Sequence, residues 1–322
     1  MTVKHAFASG KSDGADATQV QPSNWNAAHT IDMDGITIPV HTTTPTPPAS
    51  GNLTLFVRNV GGRMMLAQEG PSGLDCTMQP HIGRNRTVRW QPLGNATTVP
   101  IVEGIIAATA VGTATARNVA ITNIATRMKR LGYVSAATAG ALCGPYWGAG
   151  AQQYTIGDGA GLGGFNNSWR FNVSDAAAVT GARCFIGWRS VVTAPTNVEP
   201  NTITNCFGLA QLSTDATQWY IVYGGSAAQT AIPLGTTIGA PTLVNTAWDL
   251  SFFAPPNSNN SVSYSLTNLA TNVTVTGTLT GTAGTALPAS TAFLAPATFR
   301  TNNATLLAVG LDISSLYIET DQ

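Results

Sequence analysis

An antiparallel β-sandwich, jelly-roll-like in its strand spacing, is the architecture this sequence predicts for its larger C-terminal part. Three observations predict it. From Phe165 to Val173 the residues alternate, with Phe165, Trp169, Phe171 and Val173 on one side and Asn166, Ser168, Arg170 and Asn172 on the other. Such period-two alternation marks a half-buried strand. A second run repeats the pattern, with Ala182, Cys184, Ile186 and Trp188 opposed to Arg183 and Arg189. Short runs of the same kind then recur along the chain with Gly, Pro or Asn turns between them, and no supply of helices exists for a parallel α/β sheet. Asn167 is the one break in the first apolar side.

Composition agrees with a rigid β protein. Charged residues make up 9% of the 322 residues, against ~25% in ordinary globular domains. Gly, Ala, Thr, Asn and Ser take their place, and Thr favours pleated surfaces over helices. Residues 1–150 carry 11 Lys+Arg against 7 Asp+Glu, whereas residues 151–322 carry 4 against 8. The basic residues of the first half, Arg84, Arg86 and Arg89 and then Arg127, Lys129 and Arg130, read as solvated or subunit-facing. They form no long phosphate-neutralising track, so no nucleic-acid partner is expected. Cys76, Cys143, Cys184 and Cys206 have no CxxC spacing and read as buried free thiols of a reducing cytoplasm. No signal-peptide core and no apolar run of membrane-spanning length occurs, so no membrane insertion is expected.

In chain order, residues 1–41 read as an extended arm, polar and small. Its exception is Gln21–His29, where Asn24, Trp25 and Asn26 put an indole among polar neighbours. A partner surface is the favoured burial place for Trp25, with local packing on Ile31, Met33 and Ile36 as the alternative. Residues 42–50 (TTTPTPPAS) form a Pro/Thr linker of extended polyproline type. Leu53–Val57 and Arg63–Ala67 bracket Asn59-Val60-Gly61-Gly62 and read as a hairpin. Residues 51–95 are taken as a small β module, too slight to bury much alone, which gains most when three copies pack around an axis. Residues 96–322 are assigned to the sandwich. Within it, Val119–Leu131 spaces Ile121, Ile124, Met128 and Leu131 as a short amphipathic helix does, with a strand as the alternative. Further strands are expected at Trp219–Tyr223, Trp248–Phe253, around Val262–Leu266 and Val273–Leu279, and as two last runs, Thr305–Ile313 and Leu316–Glu319.

Two blocks, KSDGADATQVQPSNWNAAHT in the arm and GRMMLAQEGPSGLDCTMQP in the module, resemble virion structural proteins of tailed bacteriophages, of the tail-fibre or appendage type. The similarity continues through LGYVSAATAGAL and Gly163–Ser190, with PSNWNAAH its most specific piece. The resemblance implies a particle-attached protein assembled in the host cytoplasm. Its N-terminal arm, through Asn24, Trp25 and Asn26, would bind other virion proteins, and its C-terminal domain would point outward towards the host surface. A homo-oligomer, with a trimer favoured, is the expected state.

Motifs for chemistry are weak. Gly159, Gly161 and Gly164 match GxGxxG, but a strand pattern follows where a dinucleotide site needs a helix, so no cofactor is expected. His5, His29, His41 and His81 all precede the sandwich, which has no imidazole of its own for a triad or a metal. Asp158, Asp175, Asp215 and Asp249 are the carboxylates a polysaccharide depolymerase would draw on, and turn capping is their commoner role. Asp158 is also the only calcium candidate, without EF-hand spacing. Tyr146 and Trp147 in CGPYWGAG are candidate ligand contacts, because loop aromatics stack on sugars; core packing is the alternative. The expected function is a non-enzymatic virion structural protein, with a lectin-like glycan-binding module as the alternative and a depolymerase behind both.

Overall fold

The computed structural model describes residues 2–3, 15, 29–30, 37–43, 45–49, 51–69, 75–77, 86–92 and 107–320. Ahead of the sandwich come β1 (Thr2–Val3), β2 (His29–Thr30), β3 (Thr54–Val60), β4 (Arg63–Glu69) and β5 (Asp75–Thr77). Then follow β6 (Arg86–Trp90), β7 (Thr109–Val111), β8 (Thr113–Ala116), β9 (Leu131–Val134), β10 (Leu142–Tyr146), β11 (Phe165–Val173) and β12 (Arg183–Arg189). The remaining strands are β13 (Cys206–Leu212), β14 (Asp215–Gly224), β15 (Ile232–Pro233), β16 (Trp248–Ala254), β17 (Ser261–Asn268), β18 (Val273–Thr280), β19 (Ala295–Thr301) and β20 (Gly310–Thr320). Helix among the described residues is limited to three 3₁₀ turns, at Ala149–Ala151, Pro200–Thr202 and Thr236–Ile238.

The expected hairpin is present. β3 and β4 pair from Thr54↔Glu69 to Val60↔Arg63, and β5 adds a third strand. Gly61 and Gly62 both take positive φ, the backbone a two-residue primed turn requires. The Gly62 N–H donates to Asn59 Oδ1 at 2.7 Å. The chain around Val40 runs alongside, with the His41 N–H donating to Val57 O at 2.8 Å and the His41 ring edge-on to Phe56. Residues 45–49 of the Pro/Thr linker form neither helix nor strand.

Two antiparallel sheets build the sandwich. One runs β15-β14-β13-β12-β19-β10-β7; the other runs β18-β17-β16-β11-β20-β9-β8, with β6 also on β20. The alternation read at Phe165–Val173 is the reason: β11 turns Trp169 and Phe171 into the space between the sheets, and β12 answers with Ile186 and Trp188. Trp90, Trp147, Trp169, Trp188, Trp219 and Trp248 are all fully buried there. Asn167, the break in the pattern, is buried too, and its Oδ1 accepts the Trp188 indole N–H at 2.9 Å. A polar residue is tolerated at that position because it supplies a hydrogen bond.

The structure corrects several sequence expectations. β6 falls within residues 51–95, the expected small module, but it pairs with β20 from Leu316↔Trp90 to Thr320↔Arg86 and gives Val88 and Trp90 to the main core. The sandwich therefore begins before residue 96. Val119–Leu131 is neither helix nor strand up to β9: it is a run of bends and turns closed by Asn123–Thr126 hydrogen bonds. Ile121, on the expected apolar stripe, lies in solvent. The last two runs merge into one strand, β20, which starts only at Gly310 and has a register shift opposite Arg170 and Phe171. The bulge at Ser314–Ser315 stretches the apolar spacing from two to three between Ile313 and Leu316.

The other side of β12, read as polar, also carries Phe185. It stacks on Phe299 at 5.9 Å and heads a second apolar cluster outside the sheet. Val198 and Ile203, from the long β12–β13 connection, pack against it. Glu199 pins that connection, accepting from Arg183 Nε at 2.6 Å and from the Ser213 backbone N–H at 2.8 Å.

Candidate functional site

Asn24, Trp25 and Asn26 lie outside the described residues. Tyr146 ends β10 and is partly exposed. Trp147, its partner in the sequence-stretch CGPYWGAG, is 1% exposed and meets Trp169 edge-on at 5.7 Å. Its ring is part of the core, so the pair does not form a surface platform for a sugar.

Each candidate carboxylate is held by its own neighbours. Asp158 accepts from the Ala160 and Leu162 backbone N–H groups, which hold its carboxyl below the usual range. Asp215, the first residue of β14, is held well below that range by Thr217, Tyr220 and Gln218. Asp249 receives both Nε and Nη2 of Arg170, each at 2.6 Å. Asp175 receives Arg300 through a two-pronged ion pair inside the sandwich. These are capping and pairing roles, and no two of the four share a partner. The strand β11 follows Gly159, Gly161 and Gly164 directly, as the sequence indicated. Among the described residues no group of three or more His, Cys, Asp or Glu is arranged to hold a metal ion.

Cys143, Cys184 and Cys206 are free and buried. Burial pushes the Cys184 thiol up to about 11 and the Cys206 thiol up to about 12, and raises Cys143 as well. In the unfolded chain thiols lose their protons near ~8.5. Above that pH the folded state holds more protons than the unfolded one, so stability falls as pH rises. Urea midpoints are expected to be lower at pH 10.5 than at pH 8, with a shallower fall in the C184A/C206A double variant. An equal fall in both proteins would refute the thiol contribution.

The outward face of the β18–β8 sheet has a different chemistry. Strand register lines up Glu319, Asn166, Phe253, Ser263 and Thr278 in one row. Tyr317, Ser168, Ser251, Ser265 and Thr276 form the next, and Ser315, Arg170, Asp249, Thr267 and Thr274 the third. Hydroxyls dominate, and they bond across the strands, as Thr267 and Thr274 do at 2.9 Å. The turn of the hairpin rests here, with Gly61 close to Ser251 and Gly62 close to Ser263. Arg63 of β4 pairs with the buried Glu319, which also accepts from Asn166 Nδ2 and Tyr317 Oη.

Two depressions open on this face. One, about 180 Å³, lies under the hairpin turn between Arg63, Asn166, Phe253 and Glu319. The other, about 220 Å³, lies between Arg89, Gln91, Lys129, Arg170, Ser314 and Tyr317. Sequence reading saw the serines and threonines alternate with Val262–Leu266 and Val273–Leu279. It could not align them into rows, because the register joins strands up to 153 residues apart.

Fold and face together define an antiparallel β-sandwich protein with a hydroxyl-rich outer sheet. No protein-family model matches the chain, and no curated protein matches it. Among solved structures, a protein of unknown function from Shewanella oneidensis MR-1 is similar at 12% identity and a TM-score of 0.43, over 73% of this chain and 87% of that one. Lectin II from Ulex europaeus is similar at 11% identity and a TM-score of 0.47, over 73% and 98%. The carbohydrate recognition domain of Emp46p is similar at 10% identity and a TM-score of 0.40, over 66% and 88%. These likenesses are remote; the fold stands on the strand pairing and core described above.

Proposed function

We propose that this chain is a non-enzymatic structural protein of a tailed-bacteriophage particle, a homo-oligomeric appendage assembled in the host cytoplasm. The segment ahead of the sandwich attaches it and the sandwich faces outward. The observation that carries this reading is the open apolar face of the hairpin. The cross-strand neighbours Leu55, Val57, Leu66 and Met64 share one side of β3–β4, and Leu55 and Met64 are more than half exposed. Ile38, Val40 and Leu53 nearby add further exposed apolar surface. Each Å² of such surface left in water costs about 25 cal/mol, and a trimer packed through these hairpins removes it. The resemblance of the arm to phage appendage proteins supports the attachment role, with Asn24, Trp25 and Asn26 as its contacts to other virion proteins.

Deleting residues 1–35 is expected to abolish incorporation into the particle while the purified protein stays folded and oligomeric. Introducing charge through L55K and M64K is expected to lower the mass measured by light scattering to that of a monomer. Normal incorporation of the truncation would overturn the attachment role, and an unchanged mass would overturn hairpin packing. A second reading, glycan recognition by the outward sandwich, is favoured by the hydroxyl rows and the two depressions within them.

A further inference from the structure

The depression beside Ser314 brings together two cations that sequence reading left in separate clusters. Arg89 comes from β6 and Lys129 from the turn segment before β9, and both line it with Arg170 of β11. Pairing through β20 makes the meeting: β20 takes β6 at Leu316–Thr320, β9 at Gly310–Ile313 and β11 along its other edge.

The charges here are unequal. Arg170 is neutralised by Asp249, which raises the guanidinium pKa further through its hydrogen bonds. Arg89 and Lys129 have no carboxylate partner among the described residues; Arg89 Nη2 reaches only the Gln91 amide oxygen, at 3.2 Å. Two positive charges without a carboxylate partner among the described residues therefore face one small depression.

A second, independent feature points to a ligand. Ser314 is 3% exposed, lines the depression, and its hydroxyl has no hydrogen-bond partner among the described residues. Buried polar groups are nearly always satisfied, and an unmet one is costly. Ser314 sits at the bulge of β20, the kind of irregularity that re-aims side chains beside sites. The neighbouring Ser315, Tyr317 and Gln91 complete the polar lining.

We infer that this depression binds an acidic sugar residue of a surface glycan. Arg89 and Lys129 hold its carboxylate or sulfate, and Ser314 bonds a ring hydroxyl or the anion itself. The size suits one residue: about 220 Å³ is smaller than the ~300–1,000 Å³ of sites that enclose drug-sized ligands. Two unpaired cations ringed by hydroxyls match a singly charged, hydroxylated ring better than a nucleic-acid backbone, which needs a track of cations. This inference rests on the reading of the sandwich as the outward, recognising part.

The test uses the full-length protein on an array carrying uronic-acid, sialylated, sulfated and neutral glycans, with single-stranded DNA as a further spot. Binding is expected to one or more acidic glycans and to none of the neutral ones, and to weaken as salt rises from 50 to 500 mM. The exposed changes R89A and K129A are each expected to weaken it about tenfold or more, with unchanged thermal melting. S314A is expected to weaken it severalfold; the loss of a purely structural hydroxyl would shift melting and leave affinity alone. Neutral-only binding, no glycan bound, DNA bound as well as glycan, or binding intact in both R89A and K129A would each overturn the site. Particle incorporation, which tests attachment, needs neither Arg89 nor Lys129, so the two ideas fail separately.

Discussion

Replacing Arg300 by methionine is expected to destabilise the protein by about 3–5 kcal/mol, the range for breaking one side of a buried ion pair. Arg300 is fully buried on β19, level with Cys143 and Cys184 on the strands to either side. Its Nε and Nη2 both engage Asp175, and its Nη1 donates to Gln211 Oε1 at 2.6 Å. Asp175 also accepts the Gly310 N–H at 2.8 Å, which ties the β11–β12 connection to the start of β20. Without the guanidinium, a carboxylate and an amide oxygen are left in the core with one donor between them. Native domains have only ~5–15 kcal/mol to lose, so the variant sits near the edge of folding. The cost comes from the stranded charge and not from the missing volume. Removing Asp175 as well, as Asp175→Leu with Arg300→Met, should therefore recover much of the loss. Urea unfolding of the parent and the two variants decides the matter: a single variant within 1 kcal/mol of the parent would show that the pair is dispensable.

Phe171→Ala is the second large effect. The Phe171 ring lies stacked on Trp248 at 5.8 Å and edge-on to Trp219 at 5.8 Å, and those two indoles meet each other at 5.4 Å. Phe171 and Trp248 come from one sheet and Trp219 from the other, so the triad bolts the layers together. Truncating a buried phenylalanine costs about 3–5 kcal/mol, because a cavity remains that rigid indoles cannot collapse into. In a domain of this size the melting temperature should drop by roughly 10 °C. Near-ultraviolet circular dichroism should lose intensity at the same time, since the indoles lose their fixed partner. A drop of only a degree or two would mean that the rings repack.

The parts of the fold legible in advance were those set by local alternation. Phe165–Val173, Arg183–Arg189 and the hairpin around Gly61-Gly62 needed only their own residues to be read. Long-range partners decided the rest. β6 has too little apolar surface to declare itself, and only its pairing with β20 shows which body it belongs to. Val119–Leu131 had helical spacing by coincidence. Its real organiser is Asp312, 182 residues from Arg130, whose Nε donates to it at 3.0 Å while Arg117 reaches the same carboxylate. The candidate ligand site was illegible for the same reason. Arg89 and Lys129 looked like ordinary solvated charges, and nothing in their neighbourhoods announces a shared depression. The aromatic pair that did stand out, Tyr146 and Trp147, stood out partly because Trp147 is needed in the core.

The position of β20 has a consequence for how the protein is made. It lies between β11 on one side and β6 and β9 on the other, yet it follows every other described strand of the sandwich in chain order. Until Gly310–Thr320 has emerged, the outer sheet is split into two halves with bare edges, and such a nascent chain is slow to organise and open to mispairing. Translation must therefore run through this segment before the sandwich closes, and ribosome-bound chains stalled ahead of Gly310 are expected to be protease-sensitive where chains carried past Thr320 on an added linker are not.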